Sequence, residues 1–150
     1  MQDPLNQRNS HILSLSPAII YAGRVDEPFY LTFISENLTS RLGFDTKVCL
    51  HNPDFWRERI HPDDVECVFD DYARISANGF HKHEYRLRKE DGEYLWVLDE
   101  LRLVRDASGH PLEVVGSWLD ITDRKVTEEA LQKSEKLFRD FFQTNPVATI

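Results

Sequence analysis

His81 and His83 stand two positions apart in a stretch, residues 80–88, where Lys82, Glu84, Arg86 and Arg88 alternate with His81, His83, Tyr85 and Leu87. Alternation with a period of two marks a strand with two unlike faces. Both imidazoles then share a face, two residues of rise apart, where a metal ion or an anionic ligand can bridge them. A divalent site wants three or four ligands, and spacing supplies no third. The expectation is two partly buried imidazoles beside Tyr85. No metal is assigned, and His81 and His83 are the residues to watch for one.

Other reactive side chains offer less. Cys49 and Cys67 form neither a CxxC pair nor a disulfide framework, and both are expected to be reduced. Asp63-Asp64 and Asp70-Asp71 are explained by helix capping and solvation. There is no GxxxxGK phosphate loop, no GxSxG elbow and no HExxH helix. No catalytic residue is assigned, and the segment is expected not to be an enzyme. Tyr21, Phe33, His83, Tyr85, Trp96 and Trp118 are candidate lining for a small-ligand pocket, because aromatics with a polar tip are what such sites use. The aromatic residues suit a core equally well, since alternation alone does not say which sheet face each one takes.

The elements that must position these residues follow from periodicity and turn chemistry. Residues 1–15 are polar and read as a flexible lead with one helical turn near Ile12, Leu13 and Leu15. β-Branched and aromatic residues at 19–25 and 30–34, separated by Asp26-Glu27-Pro28, form a hairpin. Short helical pieces follow at 35–44 and 52–59, with Ser35 and Asn52 as caps. A longer helix starts at His61-Pro62-Asp63-Asp64 and carries Val65, Val68, Phe69, Tyr72 and Ile75 on one face until Asn78-Gly79 ends it. Asp91-Gly92 and the turn at 106–111 then join strands at 80–88, 94–104 and 112–121 into a meander. Helices grouped between two sets of hairpin-linked strands imply an α+β domain on one antiparallel sheet.

Composition agrees. The chain has 150 residues, 41% hydrophobic and 29% charged, enough to bury one core. A formal charge of −8 repels phosphate backbones and anionic headgroups, so neither nucleic acid nor a membrane surface is an expected partner. No apolar run approaches the roughly 20 residues of a membrane helix, and the start lacks the pattern of a secretory signal. A cytoplasmic location is expected, with any membrane anchor elsewhere in the parent protein.

Three segments carry a resemblance to a known family. They are residues 55–64 (FWRERIHPDD), 84–97 (EYRLRKEDGEYLWV) and 116–125 (GSWLDITDRK). In order and spacing they resemble the PAS family, in the branch with a PAC-type carboxyl-terminal half, over residues 17–125. The resemblance implies a five-stranded antiparallel sheet with short helices on one face, often around a small-molecule pocket. It also implies a role in sensing or relay within bacterial signalling proteins. Asp120-Ile121-Thr122 matches the family's junction between the last strand and an output helix, where Thr122 can cap the helix and Asp120 can fix its exit angle. The flavin-binding branch carries its reactive cysteine in an Asn-Cys-Arg motif, whereas this chain reads Leu50-His51-Asn52-Pro53 there, with Cys49 lacking those flanks. Haem-binding members use a histidine on the helix before the third strand, and residues 63–78 contain none. Flavin adduct and haem are therefore not expected, which leaves room for an unidentified small ligand.

After Thr122 a polar helix places Thr127, Ala130, Leu131, Ser134, Leu137, Phe138 and Phe141 on one face. That narrow seam suits a coiled coil between two copies. Ser16-Pro17-Ala18 resembles Asn145-Pro146-Val147, the latter following Phe138-Arg139-Asp140-Phe141-Phe142, as if a second PAS domain begins at residue 143. The organisation expected is a lead at 1–15, a sensory domain at 16–122, a helical linker at 123–142 and the opening of another domain at 143–150. The function expected is a sensory or relay module of a multidomain transducer, with a sensor histidine kinase as effector. A diguanylate cyclase or phosphodiesterase is the alternative effector, and a small-molecule or metal receptor or a dimerisation scaffold is the alternative from another class.

Overall fold

A computed structural model describes residues 4–144, which form two compact units divided after Asp120. The first unit opens on an 11-residue helix, α1 (Pro4–Ser14), where one turn was expected in the lead. Strands β1 (Ala18–Gly23) and β2 (Leu31–Ile34) follow as the expected antiparallel hairpin. Three helices come next: α2 (Asn37–Leu42), α3 (Thr46–Cys49) and α4 (Pro53–Arg59). Asn52 caps α4 as expected, its side chain accepting from the Asp54 N–H. Ser35 does not cap α2; its hydroxyl accepts from the Ile20 N–H at 2.9 Å and donates to the Asn37 side chain, which locks the end of β2 onto β1. The single-turn α3 is an element that periodicity cannot reveal, because its four residues span barely one helical repeat.

The longer helix is broken. It runs as α5 (Val65–Ala73) and α6 (Ile75–Asn78), with Arg74 between them. It also starts later than its sequence suggests, because Asp64 makes no cap and turns its carboxylate to Arg86 instead. Gly79, at φ 72°, ends α6 in the left-handed conformation that glycine adopts at least cost. Strands β3 (Phe80–Arg88), β4 (Tyr94–Arg105) and β5 (Pro111–Asp120) then form the meander.

The five strands make one antiparallel sheet in the order β2-β1-β5-β4-β3, so β1 pairs with the last strand and closes the domain on itself. Inner-facing residues such as Tyr85, Leu87, Val97, Leu101, Val114 and Trp118 meet Leu38, Phe55, Trp56, Val68 and Tyr72 from the helices to form the core. Both outer strands are covered in part by the same helical stretch. At its start Leu50 bridges Leu31 of β2, and the His51 N–H donates to the Leu31 carbonyl. At its end Ile60 bridges Leu87 of β3, and the His61 N–H donates to the Arg86 carbonyl.

The second unit is a single helix, α7 (Thr122–Thr144), none of whose residues is buried. Thr122 is its first residue, one place inside the capping position expected for it. The proposed second domain opening at 143–150 lies, from residue 145 on, outside the described residues.

Candidate functional site

The centre of the inner face holds a carboxylate. Asp99 sits in β4 on the parity of Leu95, Val97, Leu101 and Leu103, and is fully buried with them. Burying an ionised group costs several kcal/mol unless hydrogen bonds compensate it, and here they converge from two other strands. Tyr21 of β1 donates its hydroxyl to Oδ1 at 2.5 Å, and Tyr85 of β3 donates to Oδ2 at 2.7 Å. The Tyr85 hydroxyl in turn accepts from the Trp56 indole N–H at 2.9 Å. Burial, then the neighbouring charge of Asp99, pushes both phenols well above their usual range, so both stay protonated donors. Trp118 packs on Tyr21 with ring centroids 5.0 Å apart, and its buried indole N–H makes no hydrogen bond.

Tyr21 reaches Asp99 by crossing over Gly116, its partner on β5. A Cβ at position 116 would lie 2.5 Å from Cζ and Oη of Tyr21 and 2.7 Å from the Glu100 carbonyl. Only hydrogen fits there.

The histidine pair extends this network outwards. His83 Nε2 is 3.4 Å from Asp99 Oδ2. Its Nδ1 faces Asp71 Oδ2 on α5 at 3.6 Å, and His81 Nε2 faces the same oxygen at 3.4 Å. The two imidazoles stand nearly perpendicular with centroids 4.6 Å apart, and His83 stands likewise against Tyr85. Asp71, read from sequence as a solvated helix carboxylate, is thus the third group that spacing along one strand did not supply.

Of the residues expected to line a pocket, Tyr21, His83, Tyr85 and Trp118 come together on the inner face, while Phe33 and Trp96 do not. Phe33 is exposed on β2, where a register shift disturbs the pairing, and Trp96 lies half-buried on the outer face against the Arg86 guanidinium, 5.1 Å from ring centroid to Cζ. The inner aromatics fill space rather than enclose it. Between Trp56, Leu87 and Trp118 a cleft of about 10 Å³ remains, no more than one water needs. Trp56, Asp99 and Gly116 are central residues that the sequence reading passed over; Asp99 alone left a trace, as the one charge within a run of alternate apolar residues.

The remaining expected site residues fall in two places. Asp120 ends β5, exposed and opposite Val97 of β4, and Ile121 links it to Thr122. On α7 the face bearing Thr127, Ala130, Leu131, Ser134, Leu137, Phe138 and Phe141 is exposed along its length, with Leu137 at 71%.

This order of strands and helices matches known proteins. The family model described as PAS fold covers residues 31–118. The chain belongs to the PAS fold family. It is 33% identical over 139 residues to the two-component sensor PprA of Pseudomonas aeruginosa, a match covering 90% of this chain and 14% of that protein. Among solved structures it is similar to a sensory box histidine kinase/response regulator from Burkholderia thailandensis, at 27% identity and a TM-score of 0.67, over 89% of this chain and 98% of that one. It is also similar to the N-terminal domain of a diguanylate cyclase with PAS/PAC sensor from Marinobacter aquaeolei, at 28% identity and a TM-score of 0.65, over 72% and 98%. The PAS assignment and the five-stranded antiparallel sheet read from sequence both stand. The chain spans about one seventh of the length of PprA. Among the described residues no helix is long and apolar enough to cross a membrane.

Proposed function

We propose that this chain is the sensory or signal-relay module of a multidomain bacterial signal transducer, and that its effector is a sensor histidine kinase. The observation that carries this reading is the 33% identity to a two-component sensor across nine-tenths of the chain. A diguanylate cyclase or phosphodiesterase is the second reading for the effector, favoured by the likeness to the Marinobacter domain. In this proposal the module works in the cytoplasm, performs no chemistry of its own and carries neither flavin adduct nor haem. Two features support that absence of chemistry: Tyr21, Tyr85 and Asp99 satisfy one another inside the core, and burial pushes the Cys49 thiol up to about 12, far from a reactive thiolate.

The proposed output route is mechanical. The sheet ends at Asp120, the helix starts at Thr122, and the exposed stripe from Thr127 to Phe141 pairs with a second copy of the chain. Rotational phase then matters more than composition. Deleting seven residues from α7 in the parent protein keeps the stripe nearly in phase, whereas deleting four rotates it by roughly 40°. The first deletion should leave regulation largely intact, the second should lock or invert output, and Asp120→Ala should uncouple output from input. Equal behaviour of the two deletions, with Asp120→Ala responding normally, would reduce the helix to a spacer. Light scattering on chains ending at Ile121 and at Ile150 tests the dimer: equal monomer numbers in both would remove α7 as the dimerisation element.

A further inference from the structure

Three ligand-type atoms converge beside β3. His81 Nε2, His83 Nδ1 and a carboxylate oxygen of Asp71 all lie within 4.8 Å of one another. His81 Nε2 and His83 Nδ1 are buried and make no hydrogen bond. Protonation logic sharpens the oddity. Asp99, as a carboxylate, is an acceptor only and already receives two phenolic hydroxyls. In the tautomer that pairs with this acceptor, His83 Nε2 carries the hydrogen and Nδ1 the lone pair. That lone pair is aimed at a second carboxylate, Asp71. His81 Nε2 faces the same oxygen at 3.4 Å.

We propose that Asp71, His81 and His83 form a binding site for a first-row divalent transition ion, with zinc the best fit among the ions its geometry admits. The site is argued from this chain's own residues and stands independently of the sensory reading above. Zinc bonds to imidazole nitrogen and carboxylate oxygen run to roughly 2.0–2.2 Å, so tetrahedral ligand atoms lie about 3.4 Å from each other. The two histidine-to-Asp71 distances, 3.4 and 3.6 Å, match that edge. Two imidazoles and one carboxylate favour zinc and its neighbours over magnesium or calcium, which take all-oxygen shells. Asp99 completes the arrangement from behind: a metal-bound histidine commonly donates its other N–H to a carboxylate, and here that bond fixes the ring so that Nδ1 faces the ion. The His83 side chain is 8% exposed, while His81 and Asp71 are at 25% and 26%. The ion thus has a buried anchor and two ligands at the surface, with a fourth position left for water or an added ligand, the open form of a three-ligand site.

The test titrates zinc chloride into the full 150-residue chain after chelator treatment, by calorimetry, with cobalt substituted in parallel. One equivalent should bind with a dissociation constant of about 10 µM or tighter, excess magnesium should not displace it, and cobalt should show the visible bands of a tetrahedral site. Asp71→Asn and His81→Ala, both partly exposed and outside the hydrophobic core, should each weaken binding by about 10-fold or more. Circular dichroism checks that both variants fold, and either folded variant suffices to decide. Absence of saturable binding below 100 µM overturns the proposal. Zinc binding unchanged in the folded variants overturns it equally, since the ion then sits elsewhere.

Discussion

Strand β3 meets carboxylates from neighbouring elements near each of its ends, and they are handled in opposite ways. Near its C-terminal end Asp64 accepts three hydrogen bonds from one residue, Arg86: its backbone N–H at 3.0 Å, Nε at 2.9 Å and Nη2 at 2.8 Å. The guanidinium cannot lose its proton, so charge and geometry are satisfied together, and these bonds hold the Asp64 carboxyl below the usual carboxylate range. Towards the other end Asp99 and Asp71 meet phenols and imidazoles, groups that carry no permanent charge. The first arrangement is a finished tether between the α4–α5 turn and the sheet. In the second, two phenols satisfy Asp99, while Asp71 faces two imidazole nitrogens that make no hydrogen bond, the contacts on which the proposed ion site rests.

The comparison can be broken most severely at Asp99. Asp99→Ala strands two buried phenols at once and should destabilise the fold by about 4 kcal/mol, with Asp99→Asn costing about half as much because one acceptor survives. Urea melts giving under 1 kcal/mol for the alanine variant would mean that the carboxylate is not what orders the two tyrosines. Trp118→Ala, which empties the space beside Tyr21, should cost about 3 kcal/mol in the same assay. Gly116→Ala forces Tyr21 off its line to Asp99 and should cost about 2 kcal/mol; a neutral result would show that the ring can pass elsewhere.

At the tether the effects are smaller and depend on pH. Asp64→Asn should cost about 1–2 kcal/mol at neutral pH. Because the folded carboxyl titrates below its unfolded value, its contribution is complete above about pH 4 and is lost as pH falls through the folded value. The stability gap between wild type and Asp64→Asn should therefore narrow in acid, and a gap that stays constant down to pH 2 would refute the pairing. Trp96→Ala, which removes a half-exposed ring from the Arg86 guanidinium, should cost about 1 kcal/mol or less. A loss equal to that of Trp118→Ala would move Trp96 to the interior.

These two regions also mark where the sequence was legible. Strands β3, β4 and β5 and both hairpins could be read because alternation and turn residues are local properties, and so could Gly79 at the end of α6. The start of α5 could not. Pro62, Asp63 and Asp64 carry every local sign of a helix opening, but Asp64 is drawn away by Arg86, 22 residues further on. Trp96 and Trp118 sit in equally regular strands, and nothing in either strand alone distinguishes the covered face from the open one. Asp71 illustrates the same limit at the metal cluster: a carboxylate on one element completes a pair on another only once the chain has folded. Asp99 is the exception, since a lone charge among Leu95, Val97, Leu101 and Leu103 is visible without any structure.

The helical stretch that bridges Leu31 at one end and Leu87 at the other has a further consequence, for solubility. An open five-stranded sheet has two outer strands, each with unpaired peptide groups able to recruit a strand from another molecule. Here one segment, from Leu50 to His61, spans the four strand spacings, about 19 Å, and blocks a stretch of both edges at once. The edge of β3 beyond Leu87 is left to Lys82 and Glu84, whose exposed charges discourage an incoming strand. A belt fastened at both margins lets the chain keep an open sheet without inviting aggregation through it.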